Sequence, residues 1–149
     1  MNIKPIESDF QMIGSTIREL SIKNPVLITM DENCDNRFID LSHQISEIEE
    51  QPNGFMLGVV SLYIKTTIGK GKQRFRLNMS IDGAFIARNT DKEQFQKMLS
   101  VNGITATYSV ARSIIIGITS QTFASGSVIL PMINVFKYSK DIGNNNPEE

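Results

Sequence analysis

Alternating apolar and polar residues predict two strands that each have one buried and one solvated face. The clearest alternation runs over residues 74–86, and its apolar positions are Phe75, Leu77, Met79, Ile81, Gly83 and Phe85. Residues 38–48 repeat the pattern, with Ile39, Leu41, His43 and Ile45 on the apolar side. Successive side chains of a strand point to opposite faces, so this period of two predicts a sheet with one face against a core.

Two further segments have strand character without a strict alternation. Residues 10–23 change phase, because Phe10 and Met12 fall on even positions whereas Ile13 and Ile17 fall on odd ones. A phase change within one strand predicts a β-bulge or a bend. Residues 55–68 are apolar at both alternating sets of positions, which predicts a central strand covered on both faces.

The connections between the later strands predict antiparallel pairing. Residues 50–54 and 69–72 are short and contain turn-forming Pro, Asn and Gly. Parallel strands would need a crossover of a dozen or more residues, and neither connection is long enough. The strands are therefore expected to form an antiparallel sheet.

Helical signals follow the strands. Thr90, with Glu93 three residues later, predicts a capping box at the start of a first helix. A second helix is predicted to begin near Asn102 or Thr105, and its apolar stripe comprises Ile104, Tyr108, Ala111, Ile115 and Ile118. Three more apolar residues widen this stripe beyond one core face, namely Val110, Ile114 and Ile116. Strands followed by helices predict an α+β domain, and the surplus apolar surface predicts contact with other chains.

Length and composition set the expected class of protein. The chain has 149 residues, 15 basic against 16 acidic side chains and 40% hydrophobic residues, which fits one soluble domain without a polyanion-binding excess of charge. We expect the domain to cover residues 1–142 and the polar residues 143–149 to be a disordered tail. The absence of a leader-like N-terminus and the single Cys34 predict a cytoplasmic protein, and the longest apolar run is too short for membrane insertion.

Candidate catalytic and metal-binding patterns fail on inspection. His43, the single histidine, has no suitable partner nearby in sequence and is expected to be a packed structural residue. Residues 31–35 begin like a calcium loop, but Asn36 and Ser42 occupy the positions that need Gly and Glu. The glycines of residues 68–72 match neither the Walker nor the dinucleotide pattern. We therefore expect a protein that is not an enzyme and uses no cofactor or metal.

A local group of basic residues keeps a binding function open. Alternate positions on an extended chain share one face, and here they are Lys70, Lys72, Arg74 and Arg76. This stripe is either a solubilising edge or a binding surface. A nucleic-acid-binding module is disfavoured because Phe75 lies on the opposite face from Arg74 and Arg76, which leaves no interleaved aromatic ring for base stacking.

Several motifs in order resemble SecB chaperones. Residues 10–25, FQMIGSTIRELSIKNP, resemble the first strand of that family in their FQ start, basic–acidic pair, aliphatic–Ser–aliphatic step and closing proline. Later matches are Asn102-Gly103, Ala111-Arg112-Ser113, Ile118-Thr119 and residues 130–134, LPMIN. The resemblance covers about residues 10–138 and is carried by the order and spacing of its motifs.

The resemblance implies a fold and a function. SecB proteins have a four-stranded antiparallel sheet with helices packed on one side, assemble as a dimer of dimers, and hold unfolded polypeptide in apolar grooves without a cofactor. The implied polypeptide-binding residues here are Met30, Ile39, Leu41, Ile133, Phe136 and Tyr138. The implied oligomer-interface residues are Met12, Ile17, Leu20, Tyr108 and Ile115.

Departures from the family pattern bear on partners. The acidic and apolar positions with which SecA-dependent members dock the SecA motor are occupied here by Glu19, Lys23, Arg76 and Asn78, and Ser109 replaces the proline usual in the second helix. Two basic residues in that set are expected to repel SecA. SecB-like proteins of toxin–antitoxin systems resemble this pattern better. The partner-docking surface is then expected to comprise Glu19, Lys23, Lys70, Lys72, Arg74, Arg76 and Asn78, and to favour an acidic client segment.

The sequence leaves four functions to compare. The favoured one is a holdase that protects a dedicated client such as an antitoxin. The first alternative is a general export chaperone that delivers preproteins to SecA. A nucleic-acid-binding module and a purely structural oligomer are the other two, and the sequence does not name the client.

Overall fold

The structure is a computed structural model that describes residues 8–24, 37–69, 74–122 and 128–138. The strands are β1 (Phe10–Lys23), β2 (Arg37–Ile45), β3 (Glu49–Glu50), β4 (Met56–Ile68) and β5 (Phe75–Ala87). The helices are α1 (Lys92–Met98) and α2 (Ile104–Thr122), joined by one π-helical turn over Leu99–Gly103. Residues 135–138 form a last single helical turn. Met30, Cys34, Lys70 and Lys72, and the predicted tail 143–149, lie outside the described residues.

All described strand pairs are antiparallel, in the order β1-β5-β4-β2, with the short β3 also paired to β4. The predicted antiparallel α+β fold with helices on one side of the sheet is therefore confirmed, with five strands rather than four. The second predicted strand, 38–48, ends earlier, at Ile45, and the extra strand β3 begins after it at Glu49. Between them, the Ser46 N–H donates to the Val59 carbonyl and the Ser46 Oγ accepts from the Val59 N–H.

Two irregularities in β1 confirm the bulge predicted from its change of phase. The register with β5 shifts between Met12 and Gly14 and again between Ile17 and Glu19. Ile13 and Arg18 are the extra residues, and an extra residue turns the following side chains to the other face. This is why Met12, Ile17, Leu20 and Ile22 all lie opposite buried residues of β5 although their positions change from even to odd and back. Ile17 is still 40% exposed, and the extra residue Ile13 is 57% exposed.

The core lies between one face of the sheet and α2. On β5 the predicted apolar face is completely buried, and Ile104, Tyr108, Ala111 and Ile115 of α2 pack over it. The expectation that the central strand is covered on both faces is wrong for the subunit. On β4 the helix-facing side chains are buried, but Tyr63 and Lys65 on the other face are exposed.

The helix boundaries differ slightly from the predicted ones. The N-cap of α1 is Asp91, whose carboxylate accepts from the Gln94 N–H at 2.7 Å, and not the predicted Thr90 with Glu93. Asp accepts this bond as well as Thr does, and the sequence offers both in succession. α2 begins at Ile104, inside the predicted interval. Within the described ranges, no helix combines the length and hydrophobicity needed to cross a bilayer.

Candidate functional site

Side chains of α2 fix the backbone of the C-terminal segment. The Val128 N–H donates to Thr119 Oγ1 at 2.8 Å, Arg112 Nε donates to the Leu130 carbonyl at 2.9 Å, and the Tyr108 hydroxyl donates to the Pro131 carbonyl at 2.6 Å. The order of these contacts shows that the segment runs antiparallel to α2, from its C-terminal end towards its beginning. Val128 and Leu130 are buried against the core as a result.

The segment then reaches the edge strand β2. The Tyr138 hydroxyl donates to the Leu41 carbonyl at 3.3 Å and lies 3.0 Å from His43 Nδ1. The two rings are 5.4 Å apart in a tilted arrangement. Val135 is buried beneath the helical turn. Residues 128–138 therefore form a continuous connection from α2 to β2 on the helix side of the sheet.

This connection displays apolar side chains to solvent. Ile129 is 55% exposed, Met132 85% and Phe136 67%, whereas Ile133 and Tyr138 are partly buried. We call these five residues the C-terminal strip. A groove of about 500 Å³ lies between the strip and the beginning of α2, and it is lined by Thr105, Met132, Ile133, Asn134, Val135 and Phe136. The hydrogen bonds to α2 hold the backbone in place, so the exposed apolar groups are part of an ordered surface.

β2 gives this surface a strand edge. In the described sheet β2 pairs with β4 alone, so no other described strand covers its outer edge. One β2 carbonyl, that of Leu41, already accepts from the Tyr138 hydroxyl. Ile39 and Leu41 are partly buried on the helix-facing side. Phe38 is 63% exposed on the opposite side. An extended chain added to this edge would gain backbone hydrogen bonds and lie beside the C-terminal strip.

The electrostatics of the site suit apolar recognition. Burial lowers the pKa of His43, which keeps the ring neutral at pH 7. Burial also raises the pKa of Tyr138, and the nearby Asp40 carboxylate raises it further. Burial raises the pKa of Tyr108, which the Arg112 guanidinium partly offsets. Among the described residues, no three His, Cys, Asp or Glu side chains come together in a way that would hold a metal.

The structure brings together most of the residues expected to bind polypeptide. Leu41 and Tyr138 are in direct contact, Ile39 lies on the same face of β2, and Ile133 and Phe136 belong to the C-terminal strip. Met30 lies outside the described residues. Sequence reasoning missed Ile129 and Met132. For Ile129 the signal was present, since it alternates with Val128 and Leu130, but a short apolar run does not show which positions face outward.

The expected oligomer-interface residues separate into two groups. Tyr108 is 4% exposed and Ile115 fully buried in the subunit core, so they offer no side-chain surface to a second chain, and the expectation is corrected at these two positions. The 3,4 spacing that placed them on an interface is the spacing of the core face. Met12 and Leu20 are partly buried, whereas Ile17 is 40% and its neighbour Ile13 57% exposed on β1.

The described members of the expected partner-docking set share the sheet face opposite the helices, which we call the open face. Lys23 lies directly opposite Arg76, Ser21 opposite Asn78, and Glu19 opposite Ser80. Arg74 also is exposed, whereas Lys70 and Lys72 lie outside the described residues. At the centre, Arg18 Nη1 and Asp82 Oδ2 form an ion pair of 2.6 Å beside a concavity of about 580 Å³. The hydrogen bond to Asp82 raises the pKa of Arg18.

Comparisons with known proteins bear on the fold. No protein-family model matches the sequence, and no curated protein matches it. The SecB-like chaperone Rv1957 of Mycobacterium tuberculosis, solved in complex with a ChAD peptide from the antitoxin HigA1 (Rv1956), is similar in structure, with a TM-score of 0.55 and 11% identity over 84% of this chain and 91% of that chain. The fold is SecB-like. A protein of unknown function from Streptococcus agalactiae is similar at a TM-score of 0.43 and 6% identity, over 83% of this chain and 97% of that chain.

Proposed function

We propose that this protein is an ATP-independent holdase that binds unfolded polypeptide along β2 and the C-terminal strip. The observation that carries the proposal is the ordered apolar surface beside an unpaired strand edge. We also propose that this holdase acts in the cytoplasm, uses no cofactor and catalyses no reaction. A SecB-like fold supports the proposal, because it supplies the same sheet and helix layers as a chaperone solved with a bound peptide.

The energetics favour an extended and poorly specified client. Burying a large apolar side chain contributes about 1.5–3 kcal/mol, and Ile129, Met132 and Phe136 are each more than half exposed. Methionine adapts its shape to different neighbours, which suits clients of varied sequence. Backbone hydrogen bonds to the β2 edge are independent of client sequence. Together, these contributions would let the surface bind many different unfolded chains, each with modest affinity.

We propose a dedicated client, such as an antitoxin, in preference to general export. The ChAD peptide bound to Rv1957 comes from an antitoxin, and this chain shares the fold of that chaperone. At two of the family's SecA-docking positions, one acidic and one apolar, this chain has Lys23 and Arg76, and both are exposed on the open face. A cationic partner would be repelled there. The general export chaperone remains the alternative, and strong SecA binding at physiological salt would favour it.

We further propose that β1 is the edge at which two subunits pair. β1 pairs with β5 alone in the described sheet, and it carries the exposed Ile13 and Ile17. Two such edges would satisfy one another's backbone groups and bury four isoleucine side chains. The resulting dimers are expected to assemble into a tetramer. In such an oligomer several β2 edges act on one client, which raises the effective affinity.

Suppression of aggregation tests the holdase function. Wild-type protein is expected to keep a chemically unfolded model protein soluble, and Phe136→Ser to lose most of that activity. Tyr63→Ser is the matched control, because Tyr63 is an exposed aromatic residue of the open face. It is expected to retain wild-type activity. A wild-type protein without any effect on aggregation would identify a purely structural oligomer instead.

A further inference from the structure

A row of four residues crosses the open face from one edge of the sheet to the other. Lys23 of β1 lies opposite Arg76 of β5, Arg76 opposite Thr67 of β4, and Thr67 opposite Phe38 of β2. Directly opposite residues of antiparallel strands place their side chains on the same face. We call these four residues the cross-strand row. Its members Lys23 and Arg76 are exposed, and Phe38 is 63% exposed.

The basic end of this row destabilises the fold. Like charges directly opposite each other destabilise a sheet, and Lys23 faces Arg76 in this way. Among the described residues, no carboxylate forms an ion pair with either side chain. Arg74, two positions before Arg76, adds a third exposed cation without an ion-pair partner in the described ranges. An external anion would remove this repulsion.

Two other cations of the described open face have a carboxylate beside them within the subunit. Arg18 is paired with Asp82, and Lys65 lies directly opposite Asp40. Among the described residues of the open face, the cations without a nearby carboxylate therefore lie at the end that holds Lys23, Arg74 and Arg76. Glu19 lies on β1 two same-face rows from Lys23, and Asp40 lies on β2, at the other edge of the sheet. Such a surface attracts an acidic group a few residues long to its basic end.

The dimensions of the row indicate what kind of partner fits. Adjacent strands lie about 4.8 Å apart, so three strand spacings place Phe38 roughly 14 Å from Lys23. An extended polypeptide covers that distance in about four residues. A carboxylate at one end and an apolar side chain at the other end of such a stretch would meet the basic residues and Phe38 together.

We propose that the cross-strand row is a docking site for an acidic polypeptide segment that carries an apolar residue about four positions from its acidic residues. The site lies on the face of the sheet opposite the helices and so goes beyond the holdase surface. A single-stranded nucleic acid fits less well, because the described cations of the row lie at one end, Asp40 lies two residues from Phe38 at the other end, and the whole chain has a net charge of −1. The cross-strand row would therefore select a partner by its sequence, whereas the apolar groove would not.

Fluorescence anisotropy with a labelled peptide tests this site directly. The probe has two adjacent glutamates, three intervening residues and a phenylalanine, and a second peptide has glutamines in place of the glutamates. Wild-type protein is expected to bind the first peptide and not the second, with affinity that falls as salt is raised. Lys23→Glu and Arg76→Glu are each expected to weaken binding by about tenfold or more. Lys92→Glu makes the same charge change on α1, away from the sheet face, and is expected to leave affinity within about twofold.

Three further measurements keep the outcome unambiguous. Phe38→Ser is expected to weaken binding of the same peptide, and Arg76→Lys to retain most of it. Phe136→Ser is expected to bind the peptide normally, so failure of the holdase proposal would leave this one standing. Equal binding of the glutamine peptide, unchanged affinity in Lys23→Glu and Arg76→Glu variants that unfold at the wild-type urea concentration, or tighter binding of a single-stranded oligonucleotide at the same salt would each overturn the proposal.

Discussion

The hydroxyl oxygen of Tyr138 lies 3.0 Å from Nδ1 of His43. The same hydroxyl donates to the Leu41 carbonyl at 3.3 Å, and when its one proton is used there, the His43 ring nitrogen is the donor to the hydroxyl oxygen. These contacts join the last described residue of the chain to the edge strand β2. They keep the C-terminal strip beside the strand edge to which we expect a client to bind.

Removing the Tyr138 hydroxyl tests this connection. Tyr138→Phe is expected to lower the free energy of unfolding by about 0.5–1.5 kcal/mol, the net value of a typical hydrogen bond. Urea unfolding measures the change. In a double-mutant cycle with His43→Gln, the two changes are expected to be non-additive because they remove the same contact. Strict additivity would show that the two side chains do not interact in solution.

The protonation of His43 predicts how stability depends on pH. Burial lowers the pKa of His43 in the folded protein below its ordinary value of 6.5, so the unfolded chain binds a proton more readily than the folded one. The stabilising effect of keeping this ring neutral is complete above pH 6.5 and is lost as the pH falls through the lowered, folded-state pKa. Urea unfolding at pH 7.5 and 5.5 measures the loss. His43→Gln is expected to lose less stability than wild type over this interval, and an identical loss would contradict the assignment.

Gly83 determines how closely α2 approaches the sheet. A Cβ at this position would collide with Thr107 Oγ1 of α2 and come within 3.0 Å of the Phe85 ring. Thr107 is held in place because its hydroxyl donates to the Gly103 carbonyl at 2.8 Å. Gly83→Ala is therefore expected to destabilise the protein by about 1–3 kcal/mol through overpacking. Gly14→Ala is the matched strand control, since a Cβ added there would have nothing within 4 Å, and it is expected to change stability by less than about 0.5 kcal/mol.

The proposed pairing of β1 edges predicts an effect on assembly. Ile17→Asp places a charge on the exposed edge, where it would be buried without a partner in the dimer. Light scattering coupled to size-exclusion chromatography is expected to show a smaller particle than wild type. Ile129→Asp changes an equally apolar exposed residue away from β1 and is expected to keep the wild-type mass. A wild-type mass for Ile17→Asp would place the interface elsewhere.

The sequence predicts the sheet well because its information there is local. The alternation in β5 reports directly which side chains are buried, and the phase change at Ile13 and Ile17 reports the bulges of β1. The same pattern fails on β4, because apolar residues at both alternating sets do not show that Tyr63 and Lys65 face solvent. Burial of the second face depends on whether another layer exists, which is a property of the whole fold.

The candidate site is less visible in the sequence because it depends on contacts between distant residues. Tyr138 and His43 are joined by a hydrogen bond across a separation of 95 positions, and no periodicity records that contact. The spacing of Tyr108 and Ile115 fits an exposed interface stripe as well as a core stripe. Only their burial in the structure shows that they belong to the core. Ile129 and Met132 were missed because their exposure follows from the hydrogen bonds that α2 makes to the neighbouring backbone.

Hydrogen exchange of the wild-type protein, with and without an unfolded polypeptide, tests the central claim most directly. A client that adds to the edge of β2 and covers the C-terminal strip is expected to slow exchange of backbone amides in residues 37–45 and 129–138. Amides of β5, which are paired on both sides, are expected to exchange equally in both samples. Unchanged exchange along β2 and the C-terminal strip, at a client concentration that saturates binding, would contradict the proposed polypeptide-binding surface.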